Sequence, residues 1–351
     1  MAKGSKKTKE ADGYRQARAD LAEKGPERLY LLYGEEDYLL EDFLERLRQR
    51  CVEPGTEEFN HRVLRGPAVE LSRLEEAVNA LPFFAEHTLV EVRDFDFNKC
   101  QDAAAERLKA ILADIPASCT VAFAVSPEYE LDGRRAAVKT VKKLGRSVYF
   151  APQEDDVLRK WIVRRFAALG KTVGRRETEH LIFLSGQRMN ALIPEIEKVA
   201  HYAAGEAVTL SDIDAVAHHI PEADAFRMTD ALGRRDYEAG AAILQELLQM
   251  RTEPPVKLLA AIGGQMRNLY AARLAREEGL GKRWLMEVTG TRFDFLADKL
   301  LQGAAAFDRE TLEKAVRACA ACDHAMKSTG VDDTALLCQL YGELAAEGGH
   351  G

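Results

Sequence analysis

The sequence predicts an α/β domain followed by two all-helical domains. Short apolar runs alternate with amphipathic helical patterns as far as Phe150, an alternation typical of a mostly parallel sheet. After Pro152 the strand pattern disappears, and apolar residues recur only at helical spacing. The chain has 351 residues, which is too long for one compact core and fits two or three domains.

Five short apolar runs are the predicted strands of the α/β domain. The first, Leu29–Gly34, is continuously apolar and ends in glycine, the pattern of a strand that is buried on both faces. A helix between each strand and the next predicts a parallel sheet with right-handed crossovers. The other predicted strands are 61–64, 88–92, 119–125 and 147–150, and the predicted helices are 36–51, 68–81, 103–113 and 134–144.

Composition and two prolines divide the chain further. Residues 1–27 are polar and are expected to form a disordered leader, with a short helix at 14–24 as the alternative. The α/β domain is 28–151. Pro152 opens a small helical domain at 152–220, and Pro221 opens a second helical domain at 221–351. The predicted helices of these two domains are 154–169, 177–184, 191–204, 225–232, 237–250, 255–278, 292–305, 310–327 and 333–345.

Charge and composition exclude several classes of protein. The 49 Lys and Arg residues against 57 Asp and Glu give a net charge of −8, which argues against a protein that coats nucleic acid by bulk charge. The first 28 residues have no apolar core, so they are not a secretory signal, and no apolar run is long enough to span a membrane. Six cysteines without a regular framework fit a reducing compartment. The sequence therefore predicts a cytoplasmic protein.

The turn after the first strand is where an α/β domain would carry a phosphate-binding loop. Such a loop needs small residues and a lysine, but the turn here is Gly34-Glu35-Glu36-Asp37. No Gly-x4-Gly-Lys-Ser/Thr motif occurs anywhere in the chain. We therefore expect no bound nucleotide and no cofactor.

No set of residues predicts catalysis or metal binding. Cys319 and Cys322, followed by His324, lack the second ligand pair that structural zinc requires. Helical spacing instead places both cysteines on a buried stripe. Asp94 and Asp96 form a paired-carboxylate candidate, but they follow a strand and precede a polar loop, which favours a solvated turn.

Two surface features remain as candidates for binding. Phe83 and Phe84 lie in the connection between the second helix and the third strand, after Pro82. They are either exposed anchors for a protein partner or caps on the sheet core, and composition alone favours the core. The second feature is a basic run that either faces DNA phosphates or an acidic partner, or is simply solvated. It consists of Arg134, Arg135, Lys139, Lys142, Lys143 and Arg146.

Short motifs in all three predicted domains resemble one family. In the α/β domain they are the strand and turn at 29–39, the Leu-Pro-Phe-Phe-Ala-Glu segment at 81–86, and 89–93. Later motifs are 161–162, 170–173, 192–202, 226–232, 265–269 and 325–327. In order and spacing they resemble the delta subunit of the bacterial DNA polymerase III clamp loader, over about 28–345.

The resemblance implies an AAA+-like fold: a RecA-like domain without a nucleotide-binding loop, a helical lid and a helical collar. It implies a non-catalytic subunit of the DNA polymerase III holoenzyme, a nucleotidyltransferase complex. This subunit would bind the ring-shaped sliding clamp and open its interface for loading on primed DNA, while ATP is held by neighbouring subunits. The implied partners are the clamp, gamma/tau-type and delta-prime-type subunits joined through the collar, and primed DNA; no membrane is involved.

The resemblance also implies where the clamp is bound. The family uses a Leu-Phe pair at the tip of its first domain, and that pair falls on Phe83 and Phe84, so phenylalanine replaces leucine at the first position. Leu81 and Ala85 flank the pair and would shape the loop. The resemblance therefore favours exposed rings over core rings. DNA contacts would be local, through the basic run at 134–143 or through Lys327.

Three other hypotheses stay open on the sequence alone. One is an ATP-dependent AAA+ enzyme with a diverged loop, which would bind ATP. Another is a clamp-loader-like subunit of the ATP-hydrolysing or arginine-finger type, although the Ser-Arg-Cys motif and the zinc module of such subunits are absent from the sequence. The last is an unrelated helical scaffold in which Phe83 and Phe84 are core residues and no clamp is bound.

Overall fold

The computed structural model describes residues 3–67, 69–129, 131–234, 236–250 and 254–348. The chain divides into two compact units, one of residues 1–161 with 187–194, and the other of 162–186 with 195–351. Among the described residues, no helix is both long enough and apolar enough to cross a membrane. The predicted limits at 28–151, 152–220 and 221–351 stay predictions, and residues 1, 2 and 349–351 of the outer segments lie outside the described part.

The first unit contains the predicted five-stranded parallel sheet. Its strands are β1 (Leu29–Gly34), β2 (His61–Arg65), β3 (Thr88–Arg93), β4 (Cys119–Val125) and β5 (Arg146–Phe150). Their order across the sheet is β2-β3-β4-β1-β5, and every neighbouring pair is parallel. The α/β prediction is confirmed, because all five predicted runs form strands.

Helices cover both faces of this sheet. One face buries Leu31, Val90 and Phe123 against α4 (Leu71–Asn79), α5 (Asp102–Ala113) and α6 (Ala136–Leu144). The opposite face buries Tyr30, Leu32 and Val148 against α2 (Asp37–Cys51). Burial on both faces explains why the strands are continuously apolar. The predicted start of α4 at residue 68 lies outside the described residues.

The N-terminal segment differs from the expected disordered leader. Residues Lys3–Lys24 form the helix α1, and its second half packs on the α2 face of the sheet. Tyr14, Ala17 and Leu21 recur at helical spacing, and both Ala17 and Leu21 are buried. These three residues are interspersed among many polar ones, so the composition of the segment does not reveal the buried stripe. The alternative short helix at 14–24 lies within α1.

The rest of the chain is helical, as predicted. The long helix α13 (Pro255–Glu277) lies in the main core of the second unit, where Leu259, Ile262 and Met266 are buried. Three short helices were not predicted: α3 (Glu57–Asn60), α10 (Leu210–Val216) and α14 (Lys282–Thr289). The remaining elements are α7 (Asp155–Ala168), α8 (Arg175–Ser185), α9 (Met189–Tyr202), α11 (Pro221–Gly233), α12 (Tyr237–Met250), α15 (Asp294–Gly303), a 3₁₀ turn (Ala304–Ala306), α16 (Arg309–Ser328) and α17 (Asp333–Gly348).

Candidate functional site

The loop between α4 and β3 exposes the two phenylalanines that the sequence singles out. Phe84 is 83% exposed, Phe83 is 48% exposed, and Leu81 beside them is 85% exposed. Ala85 is half-buried. The rings therefore do not cap the sheet core, and the loop presents apolar side chains to solvent.

A buried asparagine holds this loop in place. Asn60, the last residue of α3, is fully buried. Its Nδ2 donates to the carbonyl oxygen of Phe83 at 2.8 Å, and the backbone N–H of Phe83 donates to its Oδ1 at 2.8 Å. The side-chain amide thus pairs with the backbone of Phe83 much as a neighbouring strand would. The loop conformation is fixed where the exposed rings begin.

A third aromatic ring extends the exposed surface. Phe59 is 51% exposed, and its ring centroid lies 4.7 Å from that of Phe83. The Phe83 and Phe84 rings are 4.5 Å apart and nearly perpendicular, at 82°. We call Phe59, Leu81, Phe83 and Phe84 the aromatic patch. Sequence reasoning missed Phe59 and Asn60, because nothing local indicates a contact across 23 residues.

The backbone at Phe84 is strained. Its φ is 48°, in the left-handed region that side chains with a Cβ rarely adopt. Such a conformation costs about 1–2 kcal/mol and persists only where the surroundings impose it. The strained backbone therefore belongs to the residue with the most exposed ring of the patch. Strained residues of this kind often occur in functional loops.

An ion-pair network begins at His61, the residue that follows Asn60. Glu91 on β3 is buried and accepts hydrogen bonds from His61 at 3.0 Å and from Arg93. Burial by itself raises the pKa of Glu91, but the contacts with His61 and Arg93 outweigh it and lower the pKa to about 2. Arg93 also pairs with Glu41 at 2.6 and 2.8 Å. This network ties β2 to β3 where the chain leaves Asn60.

The turn after β1 cannot cradle a phosphate in the usual way. The backbone N–H groups of Glu35 and Glu36 both donate to the carbonyl oxygen of Phe150, at 2.9 and 3.0 Å. In a phosphate-binding loop such groups point at the ligand. The carboxylate of Glu36 is buried, its Oε2 accepts from the N–H of Met189 at 3.4 Å, and its Oε1 has no partner. Burial raises the pKa of Glu36 to about 7.

The basic run lies at the start of α6 and along it. Arg134 and Arg135 precede the helix and pair with Asp132, at 2.9 and 3.7 Å. On the helix, Lys142 lies over the Tyr33 ring at 4.7 Å, and Lys139 and Lys143 are exposed. Lys327 belongs to the other unit and pairs with Asp323 at 2.6 Å.

The two cysteines of α16 lie where the sequence predicts them. Cys319 and Cys322 are both in the helical core beside Leu312, and burial raises the pKa of Cys319 to about 11. Such thiols are packed as small apolar groups. Within the described ranges, no group of three or more His, Cys, Asp or Glu side chains is arranged to hold a metal ion.

Comparison with known families decides between the open hypotheses. Residues 30–151 match the family model described as DNA polymerase III, delta subunit, and residues 222–341 match the DNA polymerase III delta subunit, C-terminal domain. The chain belongs to the DNA polymerase III delta subunit family. This confirms the resemblance and the prediction of a non-catalytic subunit of that holoenzyme. The aromatic patch and the turn after β1 therefore belong to a chain of the delta subunit family.

Individual members of the delta family align over most of the chain. The chain is 27% identical over 325 residues to the DNA polymerase III subunit delta of Bacillus subtilis, covering 89% of this chain and 91% of that one. It is 24% identical over 298 residues to a probable DNA polymerase III subunit delta of Aquifex aeolicus, covering 83% of each. Among solved structures, the DNA clamp loader delta protein of Bacillus subtilis matches with 23% identity and a TM-score of 0.49, over 95% of this chain and 99% of that one.

Proposed function

We propose that this delta-family chain binds the DNA sliding clamp through its aromatic patch and opens the clamp interface for loading on primed DNA. The observation that supports the proposal is a group of exposed aromatic rings on a loop whose backbone is hydrogen-bonded to Asn60 at Phe83. The chain would perform no chemistry itself. It would act in the cytoplasm, where bacterial DNA is replicated.

The patch has the properties of an anchor for a protein partner. Aromatic side chains dominate the energetics of interfaces because each brings a large apolar area with few rotatable bonds. Here Phe84 and Leu81 are almost fully exposed, so most of their apolar surface is free to be buried by a partner. Burying one such side chain contributes about 1.5–3 kcal/mol. The pinned loop also reduces the entropy lost on binding.

Clamp opening requires more than tight binding. A ligand shifts a conformational equilibrium only by its difference in affinity for the two states. The patch would therefore have to fit a clamp pocket better when the neighbouring interface is open. Leu81 and Ala85 flank the two phenylalanines and would set how deeply the rings enter that pocket.

The resemblance to the family supports the remaining proposed partners. The helical domain at 221–351 would form the collar that joins gamma/tau-type and delta-prime-type subunits, which would hold the ATP that the β1 turn does not. Exposed Lys139, Lys142 and Lys143 would contact DNA or an acidic partner. Arg134, Arg135 and Lys327 are paired with carboxylates, so each would contribute less.

The test is binding of the purified chain to the sliding clamp of the same organism. Loss of the anchor pair in Phe83→Ala/Phe84→Ala should cost about 2–4 kcal/mol, or at least thirtyfold in affinity. Tyr129→Ala is the matched control, because Tyr129 is a 43% exposed aromatic residue of the same unit outside the patch. Equal binding by wild type and the folded double variant would place the site elsewhere.

A second measurement separates binding from opening. A clamp labelled with fluorophores on both sides of one interface reports their separation. The wild-type chain should increase that separation, and the double variant should leave it unchanged at concentrations where wild type saturates. Tight binding without any increase would make the chain a clamp tether and not an opener. Failure of wild type to bind, even with partner subunits and ATP, would contradict the proposed function altogether.

A further inference from the structure

The two edges of the five-stranded sheet differ in what covers them. At one edge, β5 lies against α1: Asp20 pairs with Arg146 at 2.7 Å, and the Tyr14 ring lies 5.5 Å from that of Phe150. At the other edge, β2 is the only one of the five described strands without a buried residue. Val63 in its centre is 37% exposed. An open edge of this kind presents unpaired backbone groups to which another strand can bond.

The backbone of β2 is open on the side that faces away from β3. The N–H of Gly66 donates to the carbonyl oxygen of Arg93 at 3.1 Å, so Gly66 points towards β3. Hydrogen-bonding direction alternates along a strand, and therefore Val63 and Arg65 direct their N–H and carbonyl groups away from the sheet. In the described part of the chain, none of these four groups has a hydrogen-bond partner. They provide two donors and two acceptors at the spacing that an added strand requires.

Two arginines give this edge a preference among partners. Arg62 and Arg65 are three residues apart on a strand, so they lie on opposite faces of the sheet. Among the described residues, no carboxylate forms an ion pair with either of them. Pairing of two copies of this chain would bring like charges together, which disfavours a second copy as the occupant. An extended segment with an acidic residue on each face would instead complete two ion pairs.

The open edge is continuous with the aromatic patch. Phe59 of the patch and Asn60, which holds the loop, directly precede β2 in the chain. At about 200 Å² for each large apolar side chain, the exposed parts of the four patch residues amount to about 500 Å². A standard interface buries about 800 Å² on each partner. A partner held by the patch therefore needs further contact area, and the β2 edge is an adjacent surface with free hydrogen-bonding groups.

We propose that the open edge of β2 binds an extended, acidic segment of the sliding clamp by strand addition. This contact rests on the proposed clamp binding and extends it from apolar anchoring to backbone pairing. Main-chain hydrogen bonds would fix the direction of the clamp segment relative to the sheet, and the rings of the patch would supply most of the affinity. The two arginines would select the acidic segment.

The test removes one outward N–H group and measures the clamp affinity of the full-length chain. Val63→Pro lacks that donor but keeps the ladder to β3, in which the Val63 N–H takes no part, and proline is tolerated at such edge positions. Ala136→Pro is the matched control, because Ala136 is an exposed residue in the first turn of α6 and Arg135 before it is already extended. Val63→Pro should bind the clamp at least about tenfold more weakly, and Ala136→Pro should bind as wild type does.

Two further measurements do not depend on the folding of the proline variant. Hydrogen exchange of the Val63 and Arg65 amides in the wild-type chain should slow by about tenfold or more when the clamp saturates it, because both N–H groups gain an acceptor. Arg62→Glu/Arg65→Glu should weaken clamp binding by about tenfold. Lys99→Glu/Lys109→Glu makes the same charge change at exposed positions of the same unit and should leave clamp binding unchanged.

Each outcome decides the proposal. Amide protection, together with losses confined to the β2 variants, supports it. Clamp binding by wild type without protection of either amide, or wild-type affinity of folded Val63→Pro, would overturn the strand pairing and leave the patch as the clamp contact. Equal losses in the two charge variants would overturn the assignment of an acidic segment. Protection that depends on chain concentration in the absence of clamp would identify a second copy as the occupant and overturn the assignment to the clamp. No clamp binding by wild type would contradict the proposed function and this contact together.

Discussion

Replacing Asn60 by alanine tests whether a residue that cannot touch the clamp controls clamp binding. Asn60 is fully buried, and its amide forms two 2.8 Å hydrogen bonds with the backbone of Phe83. A hydrogen bond of this kind contributes about 0.5–1.5 kcal/mol net. Asn60→Ala should therefore release the loop at a cost of about 1–3 kcal/mol. If that cost lowers the fraction of loops in the binding-competent conformation, the apparent Kd rises by the same factor.

The expected result is clamp binding weakened by about fivefold to 150-fold, since each 1.4 kcal/mol is tenfold. Hydrogen exchange of the Phe83 amide should become much faster, because its acceptor is gone. Val138→Ala is the control for stability: Val138 is buried under the sheet in the same unit, so its loss destabilises the domain without touching the loop. The reasoning is refuted if folded Asn60→Ala retains slow exchange at Phe83, or binds the clamp as wild type does.

Three further substitutions have defined outcomes. Phe84→Gly relieves the left-handed strain that Phe84→Ala keeps, so in urea unfolding the glycine variant should be the more stable by about 1 kcal/mol, while both lose clamp affinity. Glu36 has a folded-state pKa of about 7 against 4.5 ordinarily, so the folded state holds a proton that the unfolded state releases, and stability falls as pH rises from about 4.5 to 7. Glu36→Gln should therefore add about 3 kcal/mol at pH 8 and nothing near pH 4, and a pH-independent difference would contradict this assignment. Gly34→Ala places a Cβ 2.3 Å from the Phe150 oxygen and should cost about 3 kcal/mol or more, whereas Gly133→Ala, which meets only Lys142 Nζ at 3.9 Å, should be nearly neutral in thermal unfolding.

The fold was predictable from sequence because the sheet is covered on both faces. Double burial makes runs such as 119–125 wholly apolar, and a period of 3.6 marks the helices that cover them. The full N-terminal helix was not predicted because the apolar residues Tyr14, Ala17 and Leu21 are interspersed among many charged residues. Short helices such as α3 have too few residues for any periodicity to appear.

The candidate site was only half predictable. Phe83 and Phe84 stand out because two aromatic residues follow a proline in a connection, but sequence could not show which way they point. Phe59 and Asn60 are distant in sequence and join the patch only through folding. A buried asparagine that pairs with a backbone 23 residues away leaves no local pattern.

The turn after β1 limits which substitutions could create a phosphate-binding loop in this chain. Two backbone donors are bonded to the Phe150 carbonyl, and Gly34 approaches that carbonyl so closely that no side chain fits. Introducing a phosphate-binding lysine alone would leave those donors engaged and a buried Glu36 carboxyl where the ligand's charge would be. Nucleotide binding at this turn would need several simultaneous substitutions, and a single intermediate such as Gly34→Ala would be unstable. The contact with the Phe150 carbonyl therefore makes stepwise acquisition of a phosphate-binding loop at this turn unfavourable.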